Sequence, residues 1–194
     1  MMNIAIFASG NGSNFQAIYS AAKNGKLEAN ISLLVCDKPN AKVVERAKVA
    51  GISTFVVSLG DFSNKEEYEL VIYEQLLKYE VQFIVLAGYM RLIGSFLLEK
   101  FDSKIINIHP SLLPSFPGKD AIGQAIEAKV KVTGVTIHYV DKGMDTGPII
   151  AQKAIEISDG DTEETLAPRI HQVEHDFYPK TLQKLFQQVE TNKS

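Results

Sequence analysis

The sequence predicts an α/β protein: a doubly wound, mostly parallel sheet, with additional strands towards the C-terminus and a long C-terminal helix. Two observations lead there. Residues 4–8, 31–36, 54–57, 83–87 and 105–108 form five short runs that are apolar without alternation. A strand reads that way when helices bury both faces of a parallel sheet. Helical stretches separate the runs, so strand and helix alternate five times.

The elements follow in order. Residues 4–8 are the first strand, and a glycine turn, Ser9-Gly10-Asn11-Gly12-Ser13-Asn14, opens the first helix. Residues 31–36 and 54–57 are the second and third strands. Asn64-Lys65-Glu66-Glu67 has the cap-and-glutamate pattern of a helix start. Tyr68, Val71, Ile72, Leu76 and Tyr79 then follow helical spacing and should face the sheet. Residues 83–87 and 105–108 supply strands four and five. After Pro110 the pattern changes. Residues 112–118 carry two prolines and no period, which predicts an ordered loop. Residues 132–140 and 149–157 read as two further strands joined through 141–148. A last helix should begin near Asp161, with Glu164 three residues on. Pro168 and Pro179 should start, kink or divide it. The polar tail, 190–194, should fray.

At about 150 residues per domain, 194 residues predict a single domain over 1–194, with an α/β half at 1–108 and the later elements at 109–194. Apolar residues at 45% and charged residues at 22% supply enough burial to exclude a disordered chain. The formal charge of −3 gives no general attraction to nucleic acid or anionic membrane, although a local anion site stays open. The single Cys36 excludes an internal disulfide and Cys-rich zinc sites. No run approaches 18 apolar residues, and the first residues lack a signal-peptide leader. These features predict a cytoplasmic chain.

In the glycine turn, backbone N–H groups at a helix start favour an anion, so Gly12, Ser13 and Asn14 are candidate phosphate binders. The plain alternative is a strand-to-helix turn capped by Ser13 or Asn14. A dinucleotide site is a competitor, since Gly10, Gly12 and Asp37 fit part of its fingerprint. Phe15 stands at the third glycine position, however, and no Lys-Ser or Lys-Thr pair follows to make a P-loop.

Asn107 and His109 end the fifth strand. Alternate strand residues share a face, so both should point one way, opposite Ile106 and Ile108. Ligands gather at the carboxyl ends of such strands. There an amide and an imidazole can bind a carbonyl oxygen as it gains charge, and the imidazole can move a proton. The segment Asp141-Lys142-Gly143-Met144-Asp145-Thr146-Gly147-Pro148 is a hairpin turn or a loop folded over His109. In the second case one of its acids would orient that ring.

His171-Gln172-Val173-Glu174-His175 matches the inverted zinc-protease pattern, but a third ligand is missing, so no metal is expected. Glu174 borders the apolar stripe of Ile170, Val173 and Phe177. It is either a rim residue or the holder of a polar ligand.

Four motifs in order, the glycine turn, Ala87-Gly88-Tyr89-Met90-Arg91, Asn107-Ile108-His109-Pro110-Ser111-Leu112-Leu113-Pro114 and 141–148, resemble the phosphoribosylglycinamide formyltransferase family. These are the folate-dependent formyltransferases of purine synthesis. The resemblance implies a formyltransferase-like Rossmann variant that moves formyl from 10-formyltetrahydrofolate to the amine of phosphoribosylglycinamide. It implies that Asn107, His109 and Asp145 are catalytic, and that Gly12, Ser13, Asn14 and Glu174 hold the phosphoribosyl substrate. It makes 1–108 the phosphate-binding half. Lys65, Met90, Arg91, Leu92, Ile93 and Asn107 would meet the folate, which is a co-substrate used without a metal. Lys65 stands where relatives usually carry Arg, whose fork geometry differs. The implied partners are small molecules, with no nucleic acid and no membrane. Rivals are methionyl-tRNA formyltransferase, argued against by the acidic charge and the end at Ser194, formyltetrahydrofolate hydrolase, and a dinucleotide-binding regulatory module.

Overall fold

The computed structural model describes residues 1–192. Its order is β1 (Met2–Ala8), α1 (Ser13–Lys23), β2 (Ala29–Cys36), α2 (Lys42–Val49), β3 (Thr54–Val56), α3 (Lys65–Lys78), β4 (Phe83–Leu86), α4 (Ser95–Lys100), β5 (Ile105–His109), α5 (Ala121–Glu127), β6 (Val132–Tyr139), β7 (Ile149–Glu156) and α6 (Glu163–Thr191). The seven strands form one sheet in the order β3-β2-β1-β4-β5-β6-β7. The first five are parallel, while β6 and β7 join antiparallel.

The unalternated apolar runs have the cause expected of them. In β1, Ile4, Ile6 and Ala8 pack into a core shared with α1, α2, α5 and α6. Ala5 and Phe7, on the other face, pack into a second core with α3 and α4. β4 and β5 divide in the same way, with Val85 and Ile106 on the first face and Ile84 and Ile105 on the second. From β1 the chain winds towards β3, and from β4 it winds towards β7. The crevice between β1 and β4 at their carboxyl ends is therefore the switch point where such sheets take ligands. Ser9 N–H donates to Gly88 O at 3.0 Å, and Met90 N–H donates to Ser9 Oγ at 2.8 Å, so the two loops at this point are tied together.

Asn64 caps α3 as its pattern predicts, its Oδ1 accepting from Glu67 N at 2.9 Å. Tyr68, Ile72 and Leu76 are buried, while Val71 and Tyr79 are half-buried. Among them Glu69 is also buried. One of its carboxylate oxygens accepts from Gly94 N at 2.5 Å and the other from Leu97 N at 3.2 Å, so it caps α4 from a neighbouring helix. The segment after Pro110 is irregular and held in place, as predicted. Thr136 Oγ1 donates to Ser111 O at 2.7 Å and accepts from Leu113 N at 3.0 Å.

Two expectations are corrected. Pro168 and Pro179 lie inside α6, which is continuous from Glu163 to Thr191 and is neither started nor divided by them. An interior proline costs about 3 kcal/mol. Burial of Ile170, Tyr178, Leu182, Leu185 and Phe186 against the sheet offsets that cost. The tail does not fray from residue 190. The helix carries Glu190 and Thr191, and the Glu190 carboxylate accepts from the N-terminal ammonium at 3.0 Å. Residues 193–194 lie outside the described ones.

Candidate active site

β5 delivers Asn107 and His109 to one face at the carboxyl edge of the sheet, as the two-residue period predicts. Their neighbours Ile106 and Ile108 enter the opposite core. Asn107 is half-buried and His109 is buried. Across the ladder Asn107 pairs with His138 of β6, and His109 with Thr136.

The loop between β6 and β7 folds back over this edge. Asp145, held at φ 57°, brings Oδ2 within 3.4 Å of His109 Nδ1 and accepts from Gly118 N at 2.7 Å. Both readings left open by the sequence hold, since the segment joins the antiparallel β6 and β7 as a hairpin loop and also folds over His109. The loop's two acids have separate tasks. Asp141 stays within the loop, accepting from Gly143 N at 3.0 Å and from Thr146 Oγ1 at 2.7 Å. Only Asp145 reaches the imidazole. A Cβ on Gly147 would fall 1.8 Å from Tyr139 O, which explains glycine there.

His109 Nε2 lies 2.8 Å from Phe116 O. Both ring nitrogens therefore face oxygens.

The sequence reading does not single out His138, which lies in the strand at 132–140. The signal was present: Thr136 and His138 alternate with Val135 and Ile137, just as Asn107 and His109 alternate with isoleucines. His138 Nδ1 donates to Tyr139 O at 2.8 Å. Burial pushes its pKa below the ordinary histidine value, against the pull of Tyr139 O and Asp145. The ring is thus neutral, and its bare Nε2 accepts from Asn107 Nδ2 at 3.3 Å. This contact fixes the Asn107 amide and leaves its second N–H to point elsewhere.

At the glycine turn, Gly12 itself holds the cap position of α1 at φ 79°, without a side-chain cap bond. The expectation of a Ser13 or Asn14 cap is corrected. A Cβ on Gly12 would meet Val43 Cγ2 at 2.6 Å, so α2 presses against the turn. Asn14 Nδ2 donates to Glu174 Oε2 at 3.2 Å, and Asn14 Oδ1 is buried without a partner. Glu174 is no rim residue. It is 6% exposed, and the buried stripe of α6 runs Ile170, Glu174, Tyr178, whereas Val173 and Phe177 are half-buried. Burial pushes its carboxyl pKa up to about 7, with the Asn14 bond opposing.

Dinucleotide binding loses its acidic support and keeps the obstacle that the sequence shows. Phe15 is fully buried where close helix packing would need glycine. The Asp37 carboxylate is 4% exposed and taken by Arg91 Nε at 2.9 Å. Among the described residues no group of three or more His, Cys, Asp or Glu is placed to hold a metal. No described helix is long and apolar enough to cross a membrane.

A cavity of about 300 Å³ opens at the start of the β6–β7 loop, lined by Lys65, Leu92, Ile93, Gly94, Val140 and Asp141 among others. Lys65, Leu92 and Ile93 thus meet around one space. Met90 and Arg91 do not line it. The Met90 side chain is 68% exposed, and the Arg91 side chain turns to Asp37. Half-buried Asn107, buried His109, a cavity lined by both apolar and charged side chains and an anion-type turn two strands away, after β1, can serve transfer of a small acyl group to an amine on a phosphorylated substrate.

A family model described as formyl transferase matches residues 2–182. The chain is 58% identical over 185 residues to a phosphoribosylglycinamide formyltransferase of Bacillus subtilis, covering 95% of each chain. It superposes on the crystal structure of phosphoribosylglycinamide formyltransferase from Bacillus halodurans with a TM-score of 0.92 at 56% identity, covering 94% of each chain. Against glycinamide ribonucleotide transformylase 1 of Geobacillus kaustophilus the TM-score is 0.93 at 56% identity, over 95% of this chain and 98% of that one.

Proposed function

The chain belongs to the formyl transferase family, and from that premise we propose how its residues divide the work of a phosphoribosylglycinamide formyltransferase of purine biosynthesis. The reaction moves formyl from 10-formyltetrahydrofolate to the glycinamide amine, releasing tetrahydrofolate. The folate, when bound, supplies the electrophilic one-carbon unit. The observation that carries the reading is the convergence of Asn107, His109 and Asp145 from β5 and the β6–β7 loop.

As the amine attacks, negative charge grows on the formyl oxygen. The free N–H of Asn107 donates to that oxygen, and so does the Nε2–H of His109, which exchanges Phe116 O for it. Asp145 holds the His109 ring in orientation and balances its positive charge. His109 or water carries the proton from the amine to the departing folate nitrogen. Gly12, Ser13 and Asn14 hold the substrate phosphate through backbone N–H groups at the start of α1. Glu174 takes a ribose hydroxyl. Lys65, Met90, Arg91, Leu92 and Ile93 surround the folate, supported by the cavity that Lys65, Leu92 and Ile93 line. No step calls for a metal. Small soluble substrates support work in the cytoplasm, without nucleic acid or membrane. The relatives favour neither a tRNA substrate nor a hydrolase.

Mixing the protein with phosphoribosylglycinamide and 10-formyltetrahydrofolate, and following free tetrahydrofolate, tests the reading. Release that requires both substrates supports it. Release with the folate alone would make the protein a hydrolase.

A further inference from the structure

The glycine turn does not stand alone: one turn of α2 grips three consecutive residues of it. Val43 N–H donates to Gly10 O at 3.1 Å. Arg46 Nε donates to Asn11 O at 2.8 Å, and Arg46 Nη2 donates to Asn11 Oδ1 at 3.2 Å. Val43 also packs so tightly on Gly12 that a Cβ there would sit 2.6 Å from its Cγ2. A further Arg46 nitrogen reaches Gln16 Oε1 on α1 at 3.5 Å.

These contacts have a consequence for the peptide planes. A trans peptide points its C=O and N–H in opposite directions. With Gly10 O and Asn11 O both drawn towards α2, the N–H groups of Asn11 and Gly12 are turned away from it. They join the first N–H groups of α1, which have no intrahelical partner. Successive N–H groups aimed into one concavity, next to a left-handed residue such as Gly12, make an anion nest.

We propose that Arg46 is a positioning residue that moulds the phosphate-binding turn from behind and so sets the preference for a phosphorylated substrate. Its side chain bonds Asn11 and reaches Gln16, so it acts through the turn. Its fork holds the Asn11 carbonyl and side chain at once, a two-point grip that lysine cannot reproduce. Its charge, at the back of the turn, adds to the field that draws an anion. The inference rests on the reading of the turn as the phosphate site.

The test compares parent, R46Q and R46K in three measurements. These are inhibition by inorganic phosphate, KM for phosphoribosylglycinamide and use of ribosylglycinamide without the phosphate. R46Q should raise both the phosphate inhibition constant and the KM for the phosphorylated substrate about tenfold or more. It should leave saturated turnover, the KM for formyl folate and use of the phosphate-free substrate close to the parent. R46K should recover only part of the loss, and it serves alone if R46Q does not fold. An unchanged phosphate inhibition constant in R46Q, or full recovery in R46K, overturns the role of the fork while leaving the turn as phosphate site. A parent that is indifferent to phosphate and uses both substrates equally overturns the reading of the turn and this inference with it.

Discussion

Asp145 Oδ2 lies 3.4 Å from His109 Nδ1, although the two residues stand on elements separated by the whole of α5 and β6. Asp141, in the same loop, bonds only within the loop. The two acids should therefore respond differently to loss of charge. Asp145→Asn keeps the shape and removes the charge beside His109, so turnover should fall about tenfold or more while KM for the phosphorylated substrate changes little. Asp141→Asn should act mainly through loop order and raise KM for the folate. Steady-state kinetics on both variants decide it, and a larger fall in kcat for Asp141→Asn would mean that the wrong carboxylate has been assigned.

His109→Ala removes both an oxyanion donor and a proton carrier. Turnover should fall by about two powers of ten or more. Because the glycine turn belongs to β1 and α1, inhibition by inorganic phosphate should persist in this variant. Near-normal turnover in a folded His109→Ala protein would remove the ring from the mechanism.

His138 supplies a third check, because its neutral ring holds Asn107. His138→Phe keeps the buried volume and removes the acceptor, so the Asn107 amide loses its anchor. We expect kcat to drop about tenfold, with KM for both substrates near the parent values. His138→Gln offers an acceptor again and should recover part of the loss. Equal kcat in the parent and in His138→Phe would show that Asn107 needs no such support.

How much of this was legible in the sequence follows from the range of each interaction. The strands were readable because burial on both faces is written into local composition. Asn107 and His109 were readable because a strand has a period of two. His138 carried the same signal but became meaningful only when β6 was laid antiparallel against β5, a pairing set by tertiary contacts. The place of Asp145 depends on a loop path that spacing does not encode, so only the family resemblance singled it out. Glu69 carries no signal in the local sequence, since its partners Gly94 and Leu97 come from a later segment. The continuity of α6 through two prolines reflects burial against the sheet, which overrides a local penalty.

Glu174 gives the last prediction, because its environment ties stability to pH. Burial raises its carboxyl pKa from an ordinary 4.5 to about 7. Between those two values the folded chain binds more protons at this site than the unfolded chain does. Stability then falls as pH rises through the window, by at most about 1.4 kcal/mol per pH unit, and this group contributes no slope outside it. Glu174→Gln keeps an acceptor for Asn14 Nδ2 and removes the titration. The variant should lose the slope and be more stable than the parent above about pH 7, where the parent buries a charge. Binding should run the other way. An ionised carboxylate is the better acceptor for a ribose hydroxyl, so the parent's KM for phosphoribosylglycinamide should fall as pH rises through about 7, and Glu174→Gln should remove that dependence. Urea unfolding and KM measured between about pH 5 and pH 8 test both halves. A parent slope that survives in Glu174→Gln would place the responsible proton on another group.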